Sequence, residues 1–151
     1  MRKDEPELDR QMRAFAETCR AKGLKATHQR MEIYRQLAAT QQHPDAETVY
    51  RNVRRRVPAI SRDTVYRTLA TLADLGLVAR LGAGEGVLRY DANPARHHHF
   101  ICRQCGRIRD VVDAGLDAVA SGGARDLGTV ETVHVQFRGV CRDCIERGVL
   151  P

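Results

Sequence analysis

Apolar side chains recur at helical spacing in the first part of the chain and at strand-like spacing later. Leu8, Met12, Phe15 and Cys19 lie four, three and four residues apart, one face of a helix over 5–22. Gly23 suits the end of that helix. Thr27 is placed to cap a second helix running to about Ala39, with Met31, Ile33, Tyr34 and Leu37 inward. His43-Pro44 breaks the pattern. Asp45 can cap a third helix over 46–57 that carries Val49, Val53 and Val57, and Pro58 stops it. Ser61 can cap a fourth over 62–75, with Val65, Leu69, Leu72 and Leu75 as its inner stripe and Gly76 at its end.

Two strand-like runs follow, Leu77–Leu81 and Val87–Asp91, joined by the Gly-rich turn Gly82-Ala83-Gly84-Glu85-Gly86. Helices followed by a glycine-turned hairpin describe a winged helix. Past Asn93-Pro94 the period changes. Residues 99–102, 108–112 and 130–140 read as short strands, and 114–121 as a short helix followed by Gly122-Gly123. The expected class is α+β. A winged-helix DNA-binding domain would span 1–92, and a small α/β domain 93–151.

A length of 151 residues allows one domain or two small ones. Apolar residues make up 42% and aromatics 5%, with no Trp, so any core is built of Ala, Leu, Val and Ile. No apolar run approaches the roughly 20 residues of a membrane span. The polar start Met1-Arg2-Lys3-Asp4-Glu5 is unlike a signal peptide. The expectation is a cytoplasmic protein without a membrane partner. Charge is unevenly spread: residues 1–90 hold 17 basic and 11 acidic side chains, residues 91–151 eight of each. A basic first part beside a neutral second part suggests a polyanionic partner for the first, most often nucleic acid.

Cys102-x-x-Cys105 and Cys141-x-x-Cys144 change the picture further. Disulfides are disfavoured in a reducing compartment, so two such pairs read as one tetrahedral four-thiolate site. Four soft anionic ligands leave no open position, which suits structural zinc. Cys19, on the apolar helix face, reads as a core residue. His97-His98-His99 would put His97 and His99 on one side of an extended segment and His98 on the other. Asp91, Asp110 and His43, the last expected to be exposed in a loop, could join His97 and His99 in a mixed nitrogen–oxygen site. Such a site suits iron(II), manganese(II) or zinc(II). In the fourth helix, Arg62, Thr64, Tyr66 and Arg67 offer groups to base edges and phosphates in a major groove, and Arg54-Arg55-Arg56 offer more to phosphates.

Taken together, these residues resemble the ferric uptake regulator (Fur) superfamily of bacterial metalloregulators over roughly 8–146. The motifs run in order: Gly23-Leu24-Lys25-x-Thr27-x-x-Arg30, His43-Pro44-x-Ala46-x-x-x-Tyr50, Ser61-x-x-Thr64-Val65-Tyr66-Arg67-x-Leu69, His97-x-His99-x-x-Cys102-x-x-Cys105-Gly106 and Gly139-x-Cys141-x-x-Cys144. The resemblance implies a homodimer with a C-terminal dimerisation and metal-binding domain, acting on double-stranded DNA at a pseudo-palindromic operator. It implies one structural zinc per subunit on Cys102, Cys105, Cys141 and Cys144. It implies one regulatory iron(II) or manganese(II) per subunit on His43, Asp91, His97, His99 and Asp110.

The aspartates at 91 and 110 match the peroxide-sensing branch, where the iron-sensing branch usually has glutamate. In the former, iron-catalysed oxidation falls on the histidines corresponding to His43 and His97. DNA contacts carried over are Lys25, Arg62, Thr64, Tyr66 and Arg67. Many relatives hold a further metal site. Here Arg96 and Val133 stand at two of its four ligand positions, so no functional third site is expected, although His98 and Asp117 could still serve. His134 is one position away. The expected function is a metal-dependent transcriptional repressor responsive to peroxide. The alternatives are an iron- or zinc-uptake regulator of the same fold, a zinc-ribbon interaction module, and a metalloenzyme. The last would require a substrate pocket and an open coordination position, and an enzyme is not expected.

Overall fold

The computed structural model describes residues 4–82, 87–117, 122–131 and 133–148. The chain divides into two compact units, Met1–Asn93 and Pro94–Pro151. The expected wing tip at 83–86, and residues 118–121 of the expected 114–121 helix, lie outside the described residues.

The first unit begins with α1 (Glu5–Ala21), whose cap Asp4 accepts from the Glu7 N–H and whose inner face buries Met12, Phe15 and Cys19. Thr27, Asp45 and Ser61 each accept a hydrogen bond from an N–H three residues on, starting α2 (His28–Ala38), α3 (Ala46–Arg54) and α4 (Arg62–Asp74). Each cap satisfies a donor that the helix itself cannot. Gly76 sits at φ +70°, a left-handed turn that glycine adopts without strain. The N–H groups of Leu77 and Val78 fold back onto the Leu72 carbonyl. They close the helix rather than start a strand, so β1 (Ala79–Leu81) is shorter than the sequence suggests. It pairs antiparallel with β2 (Arg89–Asp91), Ala79 opposite Asp91.

The third helix also ends early. Val57 is not helical, because the N–H groups of Arg55 and Arg56 turn back onto Asn52 and Val53 and tighten the last turn. Cys19, Ile33, Val49, Val53, Val65, Leu69 and Leu72 are fully buried and hold the four helices together. Each such side chain contributes about 1.5–3 kcal/mol of burial. Phe15 stacks flat on Tyr34 with ring centroids 3.7 Å apart.

The second unit is built on β3 (His98–Cys102). It pairs antiparallel with β4 (Ile108–Val111) and parallel with β5 (Gln136–Gly139), giving the order β4-β3-β5. The expected strand over 130–140 shrinks to four residues because its ladder reaches only His99–Cys102 of β3. Short helices α5 (Ala114–Asp117), α6 (Gly122–Arg125) and α7 (Arg142–Glu146) complete the unit. Gly122-Gly123, which follow the expected helix, are the first residues of α6. First-turn N–H groups lack helical partners anyway, so glycine costs little there. Among the described residues, the buried cluster of this unit is Cys102, Cys141 and Cys144, flanked by Phe100 and Val140.

Candidate metal centres

The parallel pairing of β3 with β5 sets Cys102 opposite Gly139, two residues before Cys141. That register brings the two cysteine knuckles together. The first knuckle closes where the Gly106 N–H bonds back to the Cys102 carbonyl, with Gly106 at φ +69°. The second closes through N–H groups of Cys144 and Ile145 on the Cys141 carbonyl. All four sulfurs lie within 4.8 Å of one another. Cys105 and Cys141 are 3.7 Å apart, Cys102 and Cys144 4.0 Å. A tetrahedron with zinc–sulfur bonds of ~2.3 Å has an edge of ~3.8 Å. The four thiols are unbridged, and their spacing fits one tetrahedral ion.

The electrostatics agree. Burial pushes the Cys102 thiol up, but N–H groups of Cys105, Cys141 and Gln104 at its sulfur outweigh burial and bring it down to about 6. The Cys144 thiol goes the other way, pushed up to about 12 by the neighbouring Cys141 sulfur, by burial and by the sulfurs of Cys105 and Cys102. Four thiolates repel one another unless a cation lies among them. Asp143, inside the second knuckle, pairs with Arg107, two residues past the first, and with Arg109 at 3.5 Å. The strap ties the knuckles from outside. Motif spacing does not announce the pair, although Asp143 lies inside one motif and Arg107 two residues past the other.

The other ligand candidates form a pair in the first unit and a triple in the second. His43 follows α2 in a left-handed conformation, φ +49°, which costs a non-glycine residue about 1–3 kcal/mol. It is held by β2: the Tyr90 N–H donates to the Pro44 carbonyl, Arg89 bridges to Asp45, and Arg89 Nη1 reaches the His43 carbonyl at 3.5 Å. His43 Nε2 then lies 3.8 Å from Asp91 Oδ2. The sequence suggested an exposed His43. It is instead 2% exposed, because β2 packs its strand edge against the loop that carries it.

In the second unit, β-pairing sets Asp110 directly opposite His99. Asp110 Oδ1 is 3.7 Å from His97 Nε2 and 3.8 Å from His99 Nε2, and the two Nε2 atoms are 3.0 Å apart. His97 Nδ1 donates to the Ala95 carbonyl at 2.6 Å, which leaves the lone pair of a neutral ring on Nε2, facing His99. Ligands bound at ~2.1 Å to a common ion stand roughly 3–4 Å apart, so both the pair and the triple have coordination spacing. His98 points away, as alternation requires, and accepts from the Val135 N–H at 3.1 Å. His134 is exposed and precedes β5. Nothing is described of the Asp117 side chain.

Of the expected DNA contacts, Arg62, Tyr66 and Arg67 are exposed on α4, and Lys25 in the turn before α2. Arg62 is held by Glu47 at 3.2 Å and lies over the Tyr50 ring at 5.4 Å, while Arg67 pairs with Asp63 at 2.9 Å. Thr64 is half-buried and bonded to the Ser61 hydroxyl at 2.8 Å, so it serves the cap. Arg56 is engaged by the buried Glu32 at 2.8 Å, a partner the sequence did not announce. No helix among the described residues is long and apolar enough to cross a membrane.

The sequence model of the ferric uptake regulator family matches residues 21–138. The peroxide-responsive repressor PerR of Staphylococcus epidermidis is 32% identical over 143 residues, covering 93% of this chain and 95% of that protein. The solved peroxide stress regulator of Campylobacter jejuni superposes with a TM-score of 0.70 at 29% identity, over 85% of this chain and 97% of that one. The ferric uptake regulator of Helicobacter pylori superposes at 0.74 with 22% identity, over 96% and 97%, a likeness of fold.

Proposed function

The chain belongs to the ferric uptake regulator family, and from that premise we propose that it is a metal-dependent transcriptional repressor whose regulatory ion is also its peroxide sensor. The family is one of DNA-binding regulators, not enzymes. The observation that carries the reading is the pair of partial donor sets, His43 with Asp91 in the first unit and His97, His99 and Asp110 in the second, each at coordination spacing and separate from a complete four-thiol cluster. Cys102, Cys105, Cys141 and Cys144 would hold a structural zinc. His43 and Asp91 of the first unit, with His97, His99 and Asp110 of the second, would hold iron(II) or manganese(II). One ion drawing ligands from both units would restrict their relative motion. In a homodimer this favours the arrangement in which two α4 helices meet successive major grooves of a two-fold operator. Lys25, Arg62, Tyr66 and Arg67 would contact the DNA, and Thr64 would set the start of α4.

Bound iron(II) would supply the one-electron reduction of hydrogen peroxide beside its own ligands. His43 and His97 are the side chains proposed to take up oxygen. An oxidised imidazole is a poorer ligand, so the restriction on the units is lost and the DNA-competent population falls. Similarity to the peroxide-responsive proteins of S. epidermidis and C. jejuni, and aspartate at both carboxylate positions, favour this over sensing of iron or zinc supply. The test is mass spectrometry of iron-loaded and manganese-loaded protein after a brief peroxide pulse. The expected result is one added oxygen on the peptides of His43 or His97 with iron alone, with loss of operator binding. Unmodified peptides with iron bound overturn peroxide sensing.

A further inference from the structure

A buried polar contact in the first unit is used neither by the ligand sets nor by the α4 surface. Gln11 of α1 donates from Nε2 to the Ala92 carbonyl at 2.5 Å and to the Tyr34 hydroxyl at 3.1 Å. The Tyr34 hydroxyl donates in turn to the same carbonyl at 3.5 Å. Gln11, Tyr34 and Ala92 are all buried, and Phe15 stacks on the Tyr34 ring. Two donors, the Gln11 amide and the Tyr34 hydroxyl, thus converge on one carbonyl just past the end of β2, and a third contact ties the donors to each other.

That carbonyl shares a peptide plane with the Asn93 N–H, and a peptide plane is rigid. The Asn93 N–H donates to Asp91 Oδ1 at 2.8 Å. One end of the plane is gripped by Gln11 and Tyr34, and the other grips the Asp91 carboxylate. Rotation of the plane would carry the carboxylate with it and move Oδ2 relative to His43 Nε2, now 3.8 Å away. We propose that Gln11 and Tyr34 are positioning residues for the regulatory metal, fixing the Ala92–Asn93 peptide that aims the Asp91 carboxylate. This rests on the reading of Asp91 as a ligand of that metal. Gln11 lies in α1, N-terminal to the residues matched by the family model, 21–138.

The experiment is titration of the full-length, zinc-containing protein with manganese(II), read by electron paramagnetic resonance. The variants are Gln11→Leu, Tyr34→Phe, Asp91→Ala and the double Gln11→Leu/Asp91→Ala. Tyr34→Phe keeps the ring stack and removes only the hydroxyl. Partners one shell out from a metal typically alter its affinity 10–100-fold. We expect about tenfold weaker binding in Gln11→Leu, a smaller loss in Tyr34→Phe, and unchanged zinc content in both. With Asp91 gone, Gln11→Leu should weaken the residual binding no further. Affinity within twofold of wild type in Gln11→Leu overturns the proposal, as does an equal loss in the Asp91→Ala background, which marks a general structural effect. If wild type shows no manganese site dependent on Asp91, the metal reading fails first and takes this one with it.

Discussion

The two units are held together by different chemistry. In the first, seventeen apolar or aromatic side chains among the described residues form one buried cluster drawn from four helices and the segments between and after them. In the second, the buried cluster among the described residues is three cysteines with two partly buried neighbours. Small units bury too little apolar surface to offset the entropy of ordering their chain, and metals commonly supply the difference. The first unit thus has an apolar core of its own, while in the second the four-thiol cluster is the buried centre among the described residues, and a metal bound there is the proposed source of its stability. The proposed ligand pair and triple then divide along the same line. His43 and Asp91 rest on a rigid helical core, and His97, His99 and Asp110 rest on a sheet whose register is continuous with the thiol cluster.

The strongest way to break this comparison is to remove the four-thiol site. Cys102→Ser, or chelation, should abolish hydrogen-exchange protection across β3, β4 and β5 while α1–α4 keep theirs. Structural zinc supplies about 10–16 kcal/mol in small domains that depend on it. Persisting protection of β3 without metal would refute the idea that thiols replace an apolar core.

A middle-sized effect sharpens it from the other side. His43 holds φ +49° in a unit rigid enough to sustain the strain. His43→Gly should raise the stability of the metal-free first unit by about 1–2 kcal/mol and abolish the rise in melting temperature on adding manganese(II). Denaturant melts with and without metal read both. A destabilised metal-free variant would mean that imidazole packing outweighs the backbone strain.

The smallest effect concerns Asp45, cap of α3. Partial burial raises its carboxyl, but hydrogen bonds from Thr48 and the charges of Arg89 and Arg51 outweigh that and hold it below the usual range. A lowered folded value means stabilisation that is present above about pH 4 and fades as pH falls through it. Asp45→Ala should cost about 1 kcal/mol at pH 7, and the gap to wild type should close on acidification. A gap independent of pH would assign the loss to shape rather than charge.

Local signals in the sequence were read correctly where the physics is local. Thr27, Asp45 and Ser61 cap their helices because a short side-chain oxygen reaches an N–H three residues on, whatever lies elsewhere. The alternation of His97, His98 and His99 follows from strand geometry alone, and the four cysteines declare themselves by spacing. Errors fell where distant segments compete for the same backbone groups. Leu77 and Val78 had strand character, but their N–H groups went to Leu72. The run 130–140 had strand character along its length, but the ladder on β3 had room for four residues.

The sequence by itself determined the α+β class, the helix starts, the four-thiol motif and the identity of the imidazoles and carboxylates, because each depends on residue type and near neighbours. Only the tertiary structure decided that His43 is buried and strained beside Asp91, that Arg56 is taken by Glu32, and that Gln11 reaches the Ala92 carbonyl eighty-one residues away. Those contacts join residues far apart in the chain. Their existence depends on how whole elements pack and register, which no short window of sequence encodes.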